Sequence, residues 1–301
     1  MKSLYNIINI KVNALTKKII IYEHMEKIMD TNLGRTFRRL RKLKNMEIKE
    51  VASEDISYAQ ISKFERGQTD MTLTKFLSSL EAINVTLEEF YHEAYFSNLP
   101  KGSLFNYDFC QKFEIKDKEK LQQLLKIETD LLTLHPSIKR YKLNIIQIKS
   151  QLHLIDPNMQ VNKKDILYLK EYLLSINKFC AYELSLYNSC LHLLDNKTLD
   201  QLIRKIISSE NGYYLNPKIL KIILRLIPIF IENNFLDSLP LLFTYLESHT
   251  KSDLFFYEKV TMVYLKALYD LKINPENHEA SSLLNSYAEV FKLFNTLESE
   301  H

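Results

Sequence analysis

The segment 32–90 constrains the fold of this chain more than any other part, because its apolar spacing and caps predict five short helices in a helix-turn-helix domain. Its most informative stretch, SYAQISKFERG, begins at Ser57. Ser57 is a suitable N-cap, Ile61 and Phe64 share one apolar side, and a glycine ends the helix. The small residue Ala52 lets the preceding helix cross closely. Two short helices at a steep angle, with polar side chains at the start of the second, predict duplex DNA as a partner.

The third helix, at about 58–66, is expected to be the recognition helix. The first turns of this helix face the base edges of the major groove in such motifs. We therefore predict that base reading falls to the residues at its start, Ser57, Tyr58 and Gln60. Glutamine suits a bidentate contact with adenine.

A basic block without any acidic residue runs from Arg35 to Lys44, beside the predicted motif. Such a block can neutralise DNA phosphates, although a solvated helix face is the open alternative for each residue. The candidates for contacts with the DNA backbone are Arg35, Arg38, Arg39, Lys63 and Arg66. Arg41 and Glu65 are instead predicted to form a structural pair that joins the first helix to the end of the third.

The rest of the chain also predicts helices. Four glycines and seven prolines in 301 residues leave few tight turns, and Val, Ile and Thr do not cluster in alternating runs. From 103 onwards, helix-length segments alternate with short polar separators such as Asp156-Pro157-Asn158. Pairs of these segments recur at roughly 35–40 residues, the period of tetratricopeptide-like solenoids. The expected fold is all-α, with a superhelical solenoid whose concave face suits an extended peptide.

The expected organisation has four parts. Residues 1–28 lack a helical period and are interpreted as a disordered extension or an upstream start that the cell does not use. They precede the helix-turn-helix domain at 29–95, a linker at 96–102 and the helical-repeat domain at 103–301. No apolar run reaches the ~20 residues of a membrane span, so no membrane partner is expected.

Long polar side chains on the first helices of the pairs are candidates for holding a peptide's carboxylate and backbone. They are Arg140, Asn144, Lys178, Tyr182, Asn188 and Arg225. A solvated side chain or a core cap is the alternative for each of them.

The motifs of catalysis and metal binding are missing from the sequence. There is no GxSxG, no glycine-rich phosphate loop, no HExxH and no paired Cys/His set. We therefore expect no enzyme, no catalytic residues, no metal and no cofactor. The scattered cysteines Cys110, Cys180 and Cys190 are interpreted as buried free thiols in a reducing cytosol.

The string LGRTFRRLRKLKN…KEVASEDISYAQISKFERG resembles the Cro/repressor-type helix-turn-helix and, more closely, the Rgg family of Firmicute regulators, also called MutR or GadR-like. The resemblance continues at 177–195. The sequence departs from these families at two places. Ile48 stands where phage-type repressors often carry a phosphate-contacting Gln. Met71-Thr72-Leu73 stands where some Rgg proteins carry a cysteine that links subunits.

This resemblance implies a cytoplasmic, homodimeric transcription regulator. Its C-terminal domain would form the dimer and bind a short, often hydrophobic, signalling peptide after import. The alternative is a regulator whose helical-repeat domain serves only dimerisation and protein partner binding, without a peptide ligand.

Overall fold

The computed structural model describes residues 33–96, 117–209 and 216–287. The chain divides into two compact units, Met1–Ser103 and Leu104–His301. The described residues of both units form helices and no strand, so the all-α prediction is confirmed. The expected extension at 1–28 and Cys110 lie outside the described residues, as does most of the expected linker. Among the described helices, none has the length and apolarity needed to cross a bilayer.

Five helices form the described part of the first unit. They are α1 at 33–43, α2 at Ile48–Val51, α3 at Tyr58–Glu65, α4 at Leu73–Ala82 and α5 at Leu87–Phe96. Helix α2 ends before the predicted Ser53, because the backbone at Ala52 is already extended. Left-handed residues mark three of the helix ends: Asn45, Gly67 and Asn84, with φ of 56°, 68° and 51°. Asparagine and glycine tolerate this conformation better than other residues do.

Aromatic rings hold the first unit together. Phe37 contacts Phe64 and Phe64 contacts Phe76, each edge to face with ring centroids 5.9 Å apart. The chain of rings ends at Phe90, 4.8 Å from Phe76. Such edge-to-face pairs stabilise a core beyond the area that they bury. The row of rings runs through α1, α3, α4 and α5 and so fixes α3 against the other helices.

Gly34 allows α1 to lie unusually close to the end of α3. A Cβ atom at this position would come within 1.9 Å of the backbone oxygen of Phe64. No side chain fits there without a shift of backbone. This close approach was not predicted from the sequence.

The second unit contains nine helices within its described residues. They are α6 at Lys118–Leu134, α7 at Lys139–Ile155, α8 at Lys163–Ser175, α9 at Ala181–Ser189, α10 at Asn196–Ser208, α11 at Asn216–Glu232, α12 at Leu239–His249, α13 at Phe256–Ile273 and α14 at 278–287. Three of them start at side-chain N-caps, Asp117, Asn162 and Asp195, each of which accepts a backbone N–H from three residues ahead.

Three predicted segments differ from the helices that form. The segment at 179–193 is α9 followed by a 3-10 turn, Leu191–Leu193. The segment at 235–248 becomes helical only at Leu239. The segment at 253–272 opens with a 3-10 turn, Asp253–Phe255, before α13 begins. In the predicted helix at 276–298, residues 278–287 are helical and 288–298 lie outside the described residues.

The helices of the second unit stack as successive pairs in the manner of tetratricopeptide-like solenoids. The first helices of the pairs, α7, α9, α11 and α13, contact one another in series. We call this series the inner layer. The second helices α8 and α10 also contact each other. The core between the layers is continuous, and Tyr187, Phe179 and Phe230 are among its largest fully buried side chains.

Candidate DNA interface and inner-layer polar cluster

Helix α3, the predicted recognition helix, presents its first turn to solvent. Tyr58 is 57% exposed, and Ser57 and Gln60 are exposed as well. The three candidate base-reading residues therefore lie together at the start of one helix, on the accessible side. This is the geometry that a helix-turn-helix uses in the major groove.

Ser57 and Gln60 also form a capping box that sequence reasoning missed. The Ser57 hydroxyl accepts from the Gln60 backbone N–H at 3.3 Å, and the Gln60 side-chain oxygen accepts from the Ser57 backbone N–H at 3.1 Å. The Ser-x-x-Gln spacing was visible in the sequence. A bidentate contact with adenine uses the same oxygen, so Gln60 either shares it through the second lone pair or releases the capping bond at a cost of about 1 kcal/mol.

The cations of α1 line a shallow groove. Arg35, Arg38, Arg39, Lys42 and Leu43 surround a cavity of about 370 Å³. Sequence reasoning placed Lys42 in the basic block but not among the phosphate contacts. Its spacing from Arg35 and Arg38 on one helix face, seven and four residues, was the available signal.

Several of these cations have partners within the protein. Arg39 forms an ion pair with Glu93 of α5. The Nε atom of Arg38 lies 4.0 Å from the Glu65 carboxylate. Arg66 donates to the Ser62 hydroxyl at 2.6 Å. Any contact of these residues with phosphate must compete with those pairs. Lys63 is exposed on α3.

Arg41 and Glu65 form a buried bidentate ion pair between α1 and the end of α3. Arg41 Nε and Nη2 donate to the two carboxylate oxygens at 2.6 and 2.8 Å. The side chains are 5% and 3% exposed. The hydrogen bond to Glu65 raises the pKa of Arg41, against the opposing effect of burial. Breaking a buried pair of this kind by removing one partner typically costs about 3–5 kcal/mol.

The peptide-binding candidates of the second unit lie on or beside the inner layer. Four of them form two hydrogen-bonded pairs between neighbouring helices. Tyr182 Oη donates to Asn144 Oδ1 at 3.0 Å. Arg225 Nη1 donates to Asn188 Oδ1 at 3.2 Å. The side chains of Tyr182 and Arg225 are half-buried.

Asn144 and Asn188 are buried, at 0% and 3% exposure. These amides therefore orient Tyr182 and Arg225 and do not face the solvent, in contrast to the expectation for groove residues. Lys178 is exposed but lies in the loop before α9, not on a helix as predicted, and Arg140 is exposed at the start of α7.

A buried carboxylate lies behind the first of these pairs. Asn144 Nδ2 donates to Glu128 Oε2 at 3.0 Å, and Glu128 is 4% exposed. Desolvation raises the pKa of Glu128, while the Asn144 hydrogen bond and the charge of Arg140 act in the opposite direction. Glu128 was not among the predicted site residues.

A polar seam continues along the contact between α7 and α9. Gln147 Nε2 donates to the Ser189 hydroxyl at 2.9 Å, and Ser150 Oγ donates to the Ser189 backbone oxygen at 2.7 Å. These three side chains are all at least 98% buried. The polar spacing of 144, 147 and 151, opposite 182, 185 and 189, was the sequence signal for this seam.

Within the described residues, no group of three or more His, Cys, Asp and Glu side chains is placed to hold a metal ion. Cys190 is a buried free thiol, as expected. Cys180 is also a free thiol, but the expectation that it is buried was wrong, because it lies at the N-cap of α9 and is exposed.

The first unit contains the helix-turn-helix, and the second unit is a helical-repeat domain. Together they have the domain order of a helix-turn-helix regulator. Residues 119–301, more than half of the chain, match the family described as the C-terminal domain of the HTH-type transcriptional regulator Rgg. The chain therefore belongs to the Rgg family of transcriptional regulators.

Solved structures share this fold. The SHP pheromone receptor Rgg2 of Streptococcus dysgalactiae is similar at 24% identity and a TM-score of 0.71, over 88% of this chain and 94% of that one. PrgX in complex with cCF10 is similar at 15% identity and a TM-score of 0.66, over 88% of each chain.

Proposed function

We propose that this protein is a cytoplasmic, dimeric DNA-binding regulator whose affinity for its operator is controlled by a short peptide bound on the inner layer. The DNA-binding part of this proposal is supported by one observation above all. The start of α3 is exposed and capped, and the buried Arg41–Glu65 pair holds this helix against α1. Family membership supports the regulatory role, and similarity to a pheromone receptor and to a peptide-bound structure supports a peptide as the signal.

On the DNA, Tyr58 and Gln60 are proposed to read bases from the major groove. The cations Arg35, Arg38, Arg39, Lys63 and Arg66, together with Lys42, are proposed to bind phosphates. Because the cations bind any sequence, they set affinity and salt dependence, while the start of α3 sets discrimination.

On the inner layer, Tyr182 and Arg225 are the proposed contacts with the peptide, with Arg140 and Lys178 at its rim. Arg225 can receive a carboxylate, and Tyr182 can donate to a peptide carbonyl oxygen. Asn144 and Asn188 hold these two side chains in place. A peptide that re-pairs this cluster would shift the solenoid between two packings and so change the freedom of the DNA-binding units.

A second function has one observation in its favour. Tyr182 is hydrogen-bonded to Asn144, and Arg225 is hydrogen-bonded to Asn188, within the protein itself. The helical-repeat domain could then serve only as a dimerisation and partner-binding scaffold.

Binding measurements on the full chain separate the two functions. The probes are synthetic peptides that match the C-terminal ends of short reading frames beside the gene, titrated by calorimetry. The peptide-controlled regulator predicts saturable binding that Arg225→Ala weakens, with Lys272→Ala on α13 as an exposed control. The absence of binding to any such peptide, together with intact DNA binding, supports the scaffold.

A further inference from the structure

Two histidines stack on each other where the last turn of α7 meets the 3-10 turn that follows α9. The rings of His153 and His192 lie nearly parallel, with their centroids 5.9 Å apart and an angle of 20° between the ring planes. We call them the histidine pair. His153 is half-buried, and His192 is partly exposed to solvent. Arg225 of α11 is close enough for its charge to act on His192.

One nitrogen of the histidine pair is buried without a partner. Within the described residues, His153 Nδ1 is the one buried side-chain nitrogen or oxygen that makes no hydrogen bond. Buried polar atoms are nearly always paired, so an orphan of this kind marks a place where a further polar group is stabilised. A half-turn of the imidazole about its Cβ–Cγ bond exchanges Nδ1 with a ring carbon, so this nitrogen need not stay buried.

The hydrogen bonds of Ser150 fix the position of the proton on His192. Ser150 Oγ donates to the Ser189 backbone oxygen at 2.7 Å, and the same Oγ lies 3.3 Å from His192 Nε2. A serine hydroxyl has a single proton to donate. His192 Nε2 therefore carries the proton that it shares with Ser150, and Nδ1 is the nitrogen that takes up a second proton.

The charges that act on His192 are both cationic. They come from His153 on α7 and from Arg225 on α11. The other polar groups of this neighbourhood are uncharged at neutral pH, and they are Ser150, Gln151, Asn188, Ser189 and Cys190. Burial raises the pKa of the Cys190 thiol to about 12. Partial burial of the ring and the two cations lower the pKa of His192 to about 4, so this ring is neutral at pH 7.

A guanidinium beside two imidazoles is a donor set for a carboxylate. The charge of Arg225 is permanent, and a protonated imidazole donates from both of its nitrogens. A carboxylate within about 4–6 Å favours the charged form of a histidine and raises its pKa by about 1–3 pH units. A carboxylate that binds here therefore brings a proton with it, and its binding becomes tighter as the pH falls.

We propose that Arg225 and the histidine pair form a carboxylate site, and that the signalling peptide binds there through a free carboxylate with uptake of a proton. This inference rests on the proposed function, because it names the chemical group by which the peptide is held. Arg225 attracts the carboxylate at any pH, whereas His192 adds a charged hydrogen bond from Nδ1 after it has taken up the proton.

Histidine ring resonances of the full-length protein test the site before any peptide is identified. The probes are N-acetyl-leucine, which carries a free carboxylate, and N-acetyl-leucinamide, which does not. Saturating N-acetyl-leucine is expected to raise the pKa of His192 by about 2 pH units, whereas the amide leaves it unchanged. His192→Gln identifies the resonance. His153→Phe keeps a stacked ring without its nitrogens, and it should weaken the binding of N-acetyl-leucine.

Calorimetry with the synthetic peptides of the proposed function tests the same site on its own ligand. Each peptide is compared with its C-terminal amide and with a version in which Asn and Gln replace Asp and Glu, so that the source of the carboxylate is identified. The form with that carboxylate should bind about 3-fold or more tightly at about pH 5.5 than at about pH 7.5, because the bound state holds one more proton.

Two substitutions separate His192 from histidines in general. His192→Gln should remove the pH dependence of peptide binding, because a glutamine amide still donates to Ser150 but takes up no proton. His249→Gln is the matched control, because His249 on α12 also stacks on an aromatic ring, that of Tyr245 at 3.9 Å. This control should keep the pH dependence of the wild type.

Two results overturn the carboxylate site. One is a pKa of His192 that responds equally, or not at all, to N-acetyl-leucine and its amide. The other is a peptide that binds equally well without any carboxylate and at both pH values. Such a peptide would leave the proposed function standing if it still controls DNA binding. A response of His192 to N-acetyl-leucine alone, without binding of any peptide, would support the carboxylate site and contradict peptide control.

Discussion

Each unit buries one glutamate at its candidate site, and the hydrogen-bond partners of the two carboxylates differ. Glu65 in the first unit is 3% exposed and receives a bidentate guanidinium from Arg41. Glu128 in the second unit is 4% exposed and receives one amide hydrogen bond from Asn144. The first carboxylate has a full counter-charge in contact. The second does not, and burial raises its pKa.

This difference suggests different tasks. A buried ion pair with both oxygens engaged holds α1 and α3 in one arrangement, which suits a helix that must present its first turn to DNA. A buried carboxylate with a single amide partner keeps unused acceptor positions, so its hydrogen bond can be exchanged for another. The first unit therefore suits a fixed geometry, and the inner layer of the second suits the response to a peptide that we propose.

The largest effect is expected when Arg41, the counter-charge of Glu65, is removed. Arg41→Ala should destabilise the first unit by about 3–5 kcal/mol, because Glu65 stays buried without its counter-charge. Native-state hydrogen exchange of the α1 and α3 amides measures the loss. Arg41→Met combined with Glu65→Met should recover most of it, since both charges are then gone. Equal protection in Arg41→Ala and wild type would show that the pair does not fix α3.

Gly34→Ala gives the next largest effect. Alanine usually stabilises a helix relative to glycine by about 1 kcal/mol. Here the added Cβ meets the Phe64 backbone oxygen at 1.9 Å, so we expect a net loss of about 1–3 kcal/mol from overpacking. Thermal unfolding with Ser78→Ala as the exposed control measures this change. A gain in stability at Gly34→Ala would mean that α1 can move away from α3 freely.

Substitutions of Gln60 separate its two roles. Both Gln60→Ala and Gln60→Glu should lower discrimination between specific and scrambled duplexes by about 1–3 kcal/mol. Only Gln60→Ala should reduce the hydrogen-exchange protection of the α3 amides, because a glutamate can still accept from the Ser57 backbone N–H. Fluorescence anisotropy on both duplexes gives the discrimination. Equal losses of affinity on the two duplexes would remove Gln60 from base reading.

The smallest expected effect concerns Glu128 and pH. Its folded-state pKa lies above the ordinary value of 4.5, so its contribution is most favourable below pH 4.5 and is lost as pH rises through the folded-state pKa. Glu128→Gln carries no such pH dependence and should gain stability relative to wild type as pH rises from 4 to 7. Melting temperatures across that range are the measurement. A Glu128→Gln protein that loses stability relative to wild type as pH rises from 4 to 7 would show that the ionised carboxylate is well stabilised.

The helices of this protein could be predicted because the local signals were strong. Ser57, Asp195 and Thr86 are caps with clear spacing, and the starts of α3, α5 and α10 follow from them. The break between α9 and the 3-10 turn at Leu191 was missed, because no glycine or proline marks it.

The candidate sites were harder to predict than the helices. The candidate base-reading positions lie within four residues at the start of one helix, so local periodicity is sufficient to bring them together. The burial of Asn144 and Asn188 depends on which helices come to lie across α7 and α9, and a single sequence does not contain that information. The close approach at Gly34 has the same origin, since a glycine in α1 alone does not identify the backbone opposite.

Reciprocal coupling is the most direct test of the central claim, peptide control of DNA binding. The affinity of the full-length protein for an operator selected from random duplexes is measured with and without saturating peptide. The affinity for the peptide is then measured with and without that operator. Peptide control of DNA binding predicts that the peptide changes the affinity for the operator by the same factor by which the operator changes the affinity for the peptide. This factor corresponds to about 1–3 kcal/mol, and it is the same for both because linkage between two binding sites is symmetric. Affinities for peptide and operator that do not depend on each other would contradict it.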